Sequence, residues 1–271
     1  MPALPYWHVD AFADRPFAGN QAAVMILEDW PGDDVLRAIG EENNFAETAF
    51  LVPDRSGMAD WELRWFTPTC EIRLCGHATL ASGHVLLDQE PQRRAVTFRT
   101  RRAGVLVVQR DGERGLEVGL PVIPTAPAAF PEAAALLGGQ PQETWRSADG
   151  YSLFLYPDET AVRSLVPDTR GLAALGDEQF IVTAPGDNTD IVSRVFVPAW
   201  GVDEDSVTGS AHAALAPFWA ERLGRTSFTA YQASDRGGDV HCRLEPGRVW
   251  LGGNCVTVVE GRFLLPDGQA G

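Results

Sequence analysis

Glu47, His77 and Asp205 are residues whose types and surroundings suit proton chemistry. Glu47 sits in Asn43-Asn-Phe-Ala-Glu-Thr-Ala-Phe-Leu-Val52, where a loop gives way to a strand. A carboxyl with a pKa of ~4.3 is ionised at neutral pH, so it can take a proton from carbon and return it as the acid. Burial beside Phe45 and Phe50 would raise that pKa toward a useful range; a solvated carboxylate at the junction is the other reading. His77 follows Gly76 at the start of an apolar helix, whose positive end disfavours an imidazolium. A neutral ring there either passes a proton and binds a substrate group, or is satisfied as a helix cap. Asp205 lies just ahead of a second apolar helix, where it can bind an amine or hydroxyl, or simply cap. Ser210 and the amides around Gly209 suit a carboxylate.

The other reactive side chains carry less. Cys70, Cys75, Cys242 and Cys255 form no CxxC pair and have no histidine at metal spacing. They read as reduced thiols of a cytosolic protein, with no metal site expected. His8, His84, His212 and His241 read as structural. Arg236-Gly-Gly238 fits a substrate loop or a plain hairpin turn. No basic residues interleave with the eight tryptophans, so these read as core rather than a stacking platform for bases.

The chain has 271 residues and a net charge of −15, with a pI near 4.7. Such a surface repels nucleic acid and anionic membrane, so neither is an expected partner. Any site for a small anionic substrate must supply its own positive potential. Residues 1–11 carry no signal-peptide pattern, and no apolar run reaches the ~20 residues of a membrane span. A cytoplasmic protein is expected.

The elements that position these residues follow from periodicity and turn signals. Strands are expected at 6–12, 61–66, 95–100, 104–109 and 115–120, and the stretch that begins as a loop at Asn43 becomes a strand ending at Pro53. A helix fits 34–42 with Asp33 as its cap, and a largely apolar helix begins after Cys75. The proline-rich stretch Leu120-Pro-Val-Ile-Pro-Thr-Ala-Pro127 reads as a linker, dividing the chain into domains 1–120 and 121–271. In the second half, helices fit 131–137, 160–165 and 209–223. Strands there fit 151–156, 180–183, 191–197, 227–232, 239–244, 248–251 and 256–265. Short mixed strands with few helices make the fold class α+β.

The two halves echo each other. Trp65-Phe-Thr-Pro68 followed by Leu74-Cys-Gly-His-Ala-Thr-Leu-Ala81 matches Val195-Phe-Val-Pro198 followed by Val207-Thr-Gly-Ser-Ala-His-Ala-Ala214. In this register Gly76 matches Gly209, His77 matches Ser210 and Cys75 matches Thr208, with a loop three residues longer in the second copy. Two helix starts rich in small residues offer free N–H groups and positive dipole ends to an anion.

Phe17-Ala-Gly-Asn-Gln-Ala-Ala-Val24, Asn44-Phe-Ala-Glu-Thr-Ala-Phe50, the two helix-start blocks and Tyr231-Gln-Ala-Ser-Asp-Arg-Gly-Gly238 together resemble the PhzF-like family of phenazine biosynthesis. The resemblance runs along nearly the whole chain. It implies a diaminopimelate-epimerase-like fold, two similar domains each with a curled mixed sheet around a central helix, and a cleft between them. It also implies an isomerase that needs no cofactor, usually a homodimer. By position, Glu47 becomes the acid/base, with His77 and Asp205 as catalytic companions and Ser210 beside them. Cys75, Gly76, Thr208 and Gly209 are expected at the substrate. Ser206 stands where the family often has proline.

Two rival readings differ in chemistry. Related epimerases use a cysteine at each of the two helix starts; here Cys75 has the first place but Thr208 the second, and threonine is too weak an acid to serve. A modified epimerase would pair Cys75 with Glu47. A non-catalytic binding homologue has no reason to keep Glu47, His77 and Asp205 together.

Overall fold

A computed structural model gives the fold and describes residues 3–112 and 115–265. The chain forms two compact units, one holding Met1–Leu120 with Gly252–Gly271 and the other Pro121–Leu251. Both are mixed sheets with few helices, an α+β fold.

The first unit runs β1 (Ala3–Ala11), β2 (Asn20–Ile26), α1 (Asp33–Asn43), β3 (Glu47–Pro53), β4 (Trp61–Phe66), β5 (Glu71–Ile72), α2 (Gly76–Gln89), β6 (Ala95–Thr100), β7 (Val105–Arg110) and β8 (Leu116–Pro121). The last strand, β18 (Cys255–Leu264), returns to pair antiparallel with β1. Across the sheet the order is β18, β1, β2, β3, β4, β6, β7, β8, with β5 on β4. Two neighbouring pairs are parallel, β2 with β3 and β4 with β6. Each parallel pair needs a crossover, and α1 and α2 supply them.

The second unit runs β9 (Ala126–Pro127), α3 (Pro131–Leu137), β10 (Glu143–Arg146), β11 (Tyr151–Leu155), α4 (Glu159–Arg163), α5 (Thr169–Ala173), β12 (Gln179–Pro185), β13 (Ile191–Val197), β14 (Val202–Asp205), α6 (Gly209–Leu223), β15 (Ser227–Gln232), β16 (Gly238–Glu245) and β17 (Arg248–Gly253). Its ladder repeats that of the first: β9, β10, β11, β12, β13, β15, β16, with β14 on β13. The parallel pairs are again the third with the fourth and the fifth with the sixth, β11 with β12 and β13 with β15. Register repeats too, since Thr48 faces Phe66 as Phe180 faces Phe196. The echo in the sequence is therefore a duplicated topology.

Helices α2 and α6 are apolar on nearly every side and buried along most of their length, as a helix enclosed by a curled sheet must be. Gly83 lets α2 approach the sheet closely, because a Cβ there would lie within van der Waals overlap of the Val108 side chain on β7. By contrast α1 buries only Leu36, Ile39 and Gly40. It covers the other sheet face through Met25, Phe50 and Phe66. In the second unit Val162 and Leu172 of α4 and α5 pack likewise on Phe154, Phe180 and Phe196.

Four expectations change. The second domain does not reach 271, because β18 completes the sheet of the first unit through β1. The proline-rich linker contains β9, whose Pro127 pairs with Trp145 at the margin of the ladder, a place a proline tolerates. Helix α1 begins one residue early, with Gly32 at its cap, while Asp33 lies 2.9 Å from Arg64. Strands β5, β9, β10 and β14 and helix α5 are two to five residues long, too short for a periodic signal. Among the described residues no helix is long and apolar enough to cross a membrane.

Candidate active site

Strands β2 and β3 are parallel, so Asn20 and Glu47 open them at the same end of the sheet. The first turn of α2 meets them there. His77 Nε2 lies 2.9 Å from Glu47 Oε2, and Asn20 Nδ2 lies 3.1 Å from His77 Nδ1. Cys75 Sγ stands 3.6 Å from Nδ1 and 4.0 Å from Nε2 of the same ring. Cys75 and His77 are buried; Glu47 keeps 15% of its side chain exposed. Glu47 Oε2 is itself buried and has no aligned hydrogen-bond donor among the described residues. The contact with His77 is thus one of charge at close range, and it leaves an oxygen lone pair uncommitted.

Burial alone would lower the His77 pKa, but the Cys75 sulfur and the Glu47 carboxylate reverse this and hold it well above 6.5. Burial, with the Glu47 charge beside it, pushes the Cys75 thiol up to about 11 despite His77. The direction runs against the expectation of a neutral His77, with the Cys75 sulfur and the Glu47 carboxylate 2.9 Å away acting against burial and the helix end. Phe50 does not shield Glu47. It lies three residues along β3, on the opposite face, in the core under α1. Phe45 instead packs against the ring of His8, with centroids 4.3 Å apart.

The second group of expected residues gathers at the start of α6. Cys75 and Thr208 are the N-caps of α2 and α6, both extended, with φ −135° and −108°. Neither helix has a side-chain cap hydrogen bond or an acidic residue in its first turn, whereas α4 and α5 are capped by Asp158 and Asp168. The amides at Gly76 and Gly209 therefore keep the character expected of an anion-binding helix start. Asp205, on β14, accepts from Thr208 Oγ1 at 2.6 Å and from Ser206 N at 2.9 Å, so its carboxylate braces the turn into α6. Gln232 accepts from Thr208 N and donates to the Asp205 carbonyl, each at 2.8 Å.

Ser210 is bonded to Gln179, whose Nε2 donates to Ser210 Oγ at 3.1 Å. Gln179 opens β12 as Glu47 opens β3, and each strand has seven residues ending in proline. Gln179 is the residue that the sequence reading missed. Its signal was there, in the matching lengths of Glu47–Pro53 and Gln179–Pro185. The duplicated fold thus carries one position pair twice: Glu47 with His77, both ionisable, and Gln179 with Ser210, neither ionisable near neutral pH.

Among the other histidines, His212 Nδ1 lies 2.8 Å from the Thr208 carbonyl. Burial pushes its pKa down to about 4. His84 bonds Thr257 Oγ1 at 3.0 Å. Arg236 lies in the turn between β15 and β16. The four cysteines are free thiols.

Residues 9–261 match the family model described as phenazine biosynthesis-like protein, PhzC-PhzF. The chain is 46% identical to an uncharacterized isomerase of Pseudomonas aeruginosa, over 97% of this chain and 99% of that one. The crystal structure of a PhzF-family phenazine biosynthesis protein from Enterococcus faecalis superposes with a TM-score of 0.86 at 40% identity, covering 97% of this chain and all of the other. A hydroxyproline epimerase from Agrobacterium vitis shares the fold at 14% identity, with a TM-score of 0.65 over 99% of this chain and 94% of its own. On the family model, the relatives' sequences and the fold together, this isomerase belongs to the PhzC-PhzF family of phenazine biosynthesis-like proteins.

Proposed function

We propose that this isomerase moves a proton between carbons of a small carboxylate substrate, with Glu47 as the base that takes the proton and the acid that returns it. No cofactor takes part in this reading. The observation that carries it is the asymmetry of the duplicated pair. Two-sided epimerisation through this pair needs a titratable group from each copy, and at these matched positions only the first copy has one. A single carboxylate must then both remove and return the proton, which suits transfer between nearby carbons.

Glu47 Oε2 has the free lone pair that such a shuttle needs. His77, held protonated, balances the charge when the carboxylate is ionised and can donate a hydrogen bond to negative charge developing on the substrate. First-turn amides of the helix that carries His77 suit the substrate carboxylate. The catalytic role of Asp205, and the substrate-binding roles of Cys75, Gly76, Thr208, Gly209 and Ser210, are part of the same proposal.

A modified epimerase with Cys75 as second base is the alternative that proximity favours, since its sulfur is 4.0 Å or less from both nitrogens of His77. A thiol raised to about 11 is a poor base at neutral pH, and that weighs against it.

The test is incubation with a turned-over substrate in heavy water, following deuterium at carbon by NMR. Glu47→Gln keeps size and removes the basic oxygen, so exchange should fall by ~10²–10⁴-fold while binding persists. Equal exchange by both proteins removes Glu47 from the reaction.

A further inference from the structure

We infer that Glu47, Cys75 and His77 form a site for one Zn²⁺ ion. One ligand atom from each lies within 4.8 Å of the others, and Cys75 and His77 are buried. A thiolate, an imidazole and a carboxylate are a donor set that zinc accepts, and three protein ligands leave a fourth position for water. Spacing along the chain concealed this set, because Glu47 comes from β3 and the other two from the start of α2.

The two distances measured from His77 Nε2 lie on either side of what the ion requires. Bond lengths of ~2.3 Å to sulfur and ~2.0–2.2 Å to nitrogen and oxygen, set tetrahedrally, separate the nitrogen from the oxygen by about 3.4 Å and from the sulfur by about 3.6 Å. In this protein His77 Nε2 stands 2.9 Å from Glu47 Oε2 and 4.0 Å from Cys75 Sγ. Seating the ion asks the Glu47 carboxylate to draw back by about half an ångström and the Cys75 sulfur, now nearer Nδ1 than Nε2, to swing round to the Nε2 side of the ring. Glu47 Oε2, with no aligned donor, has a lone pair ready for the metal. Asn20 supplies the outer contact that zinc-bound histidines commonly have. With zinc on Nε2 the ring carries its hydrogen on Nδ1, and the Asn20 amide, turned over, accepts it through Oδ1.

Binding forms the Zn–S bond as the Cys75 S–H bond breaks, and forms the Zn–N bond as Nε2 gives up its proton; both protons pass to solvent. The ion would occupy the same oxygen and nitrogen that the proposed proton shuttle uses. Zinc is therefore an inhibitor here, a consequence that rests on the function proposed above, whereas the site itself does not.

Equilibrium dialysis of the reduced, metal-free full chain against zinc chloride measures the site without any turnover. One zinc per chain is expected. Cys75→Ser should weaken binding by more than about 100-fold, since even outer-shell partners are worth 10–100-fold. Asn20→Ala should weaken it about tenfold, and Cys70→Ser should leave it unchanged. Cobalt(II) titration of the unaltered chain, which needs no variant to fold, should give a thiolate-to-cobalt charge-transfer band. Absence of that band, no bound zinc, or equal affinity in folded Cys75→Ser overturns the site. Deuterium exchange by zinc-saturated protein separates the two proposals: unchanged exchange with zinc bound at this trio upholds the site and refutes the Glu47 shuttle.

Discussion

His77 Nε2 stands 2.9 Å from Glu47 Oε2, yet that oxygen receives no aligned hydrogen bond among the described residues. The pair is held by charge, and the carboxylate helps to raise the pKa of the ring. NMR titration of the His77 ring should give a pKa above 6.5 in the unaltered protein, falling in Glu47→Gln. A ring whose folded pKa is raised adds stability that is complete below its unfolded value of about 6.5 and fades as pH rises through the folded value. The stability lost in Glu47→Gln should accordingly be largest below pH 6.5 and shrink at higher pH, as read from urea unfolding. A His77 pKa unchanged by the substitution would assign the shift to another group.

His212 carries the opposite sign. Its folded pKa is pushed down to about 4 by burial, while the unfolded ring takes its proton near 6.5. The unfolded chain therefore binds the extra proton first, and stability drains away as pH falls from about 6.5 to about 4. At ~1.4 kcal/mol per pKa unit this group accounts for roughly 3 kcal/mol. His212→Phe should flatten the acid limb of the stability profile across that window, and an unaltered slope would show that the ring is not neutral in the fold.

Gly83 and Val108 should show coupled substitutions. Gly83→Ala alone gains helix propensity of about 1 kcal/mol but drives its methyl into Val108, at a cost of about 1–3 kcal/mol. Net destabilisation is expected. In a Val108→Gly background no side chain is left to clash, since the Val108 Cβ itself lies 2.5 Å from the new methyl, and Gly83→Ala should become stabilising. Thermal unfolding of the four proteins checks the reversal of sign.

Arg64 and Arg194 occupy matching places and make matching contacts. Arg64 forms two hydrogen bonds to Glu71, at 2.7 and 2.8 Å. Arg194 forms two to Glu204, both at 2.8 Å. Each guanidinium also lies 5.0 Å from the ring of the phenylalanine two residues on, Phe66 or Phe196. Arg64→Met leaves Glu71 without this partner. Because Glu71 is 24% exposed and can be rehydrated in part, the loss should be at the low end of buried pairs, about 3 kcal/mol or less. Adding Glu71→Leu should recover most of it; no recovery would mean that Arg64 stabilises mainly through Asp33 and packing.

Strand and helix positions with a strong period were legible from the residues. Trp61–Phe66, Pro131–Leu137, Ile191–Val197, Gly209–Leu223 and Ser227–Gln232 fall where alternation and apolar clustering place them. Burial on one sheet face, or on all sides of a helix, writes itself into local composition. Short edge pieces such as β5 and β14 are fixed by pairing with a neighbour already in place, which local sequence does not encode. Gln179 was overlooked for a related reason. Glutamine has no reactive signature of its own, and its meaning comes from occupying the position that Glu47 holds in the other copy.

The sequence by itself determined the family, the α+β class, the duplicated helix starts and the choice of Glu47 and His77 as residues of interest, because each is a matter of residue type and order. Tertiary structure alone decided which groups touch. Parallel pairing of β2 with β3 puts Asn20 and Glu47 at one end of the sheet, and burial of α2 delivers His77 and Cys75 to them. Pairing of β18 with β1 likewise returns the end of the chain to the first unit. The raised pKa of His77 follows from this assembly, because a distance of 2.9 Å to a carboxylate has no counterpart in the 29 residues of intervening chain.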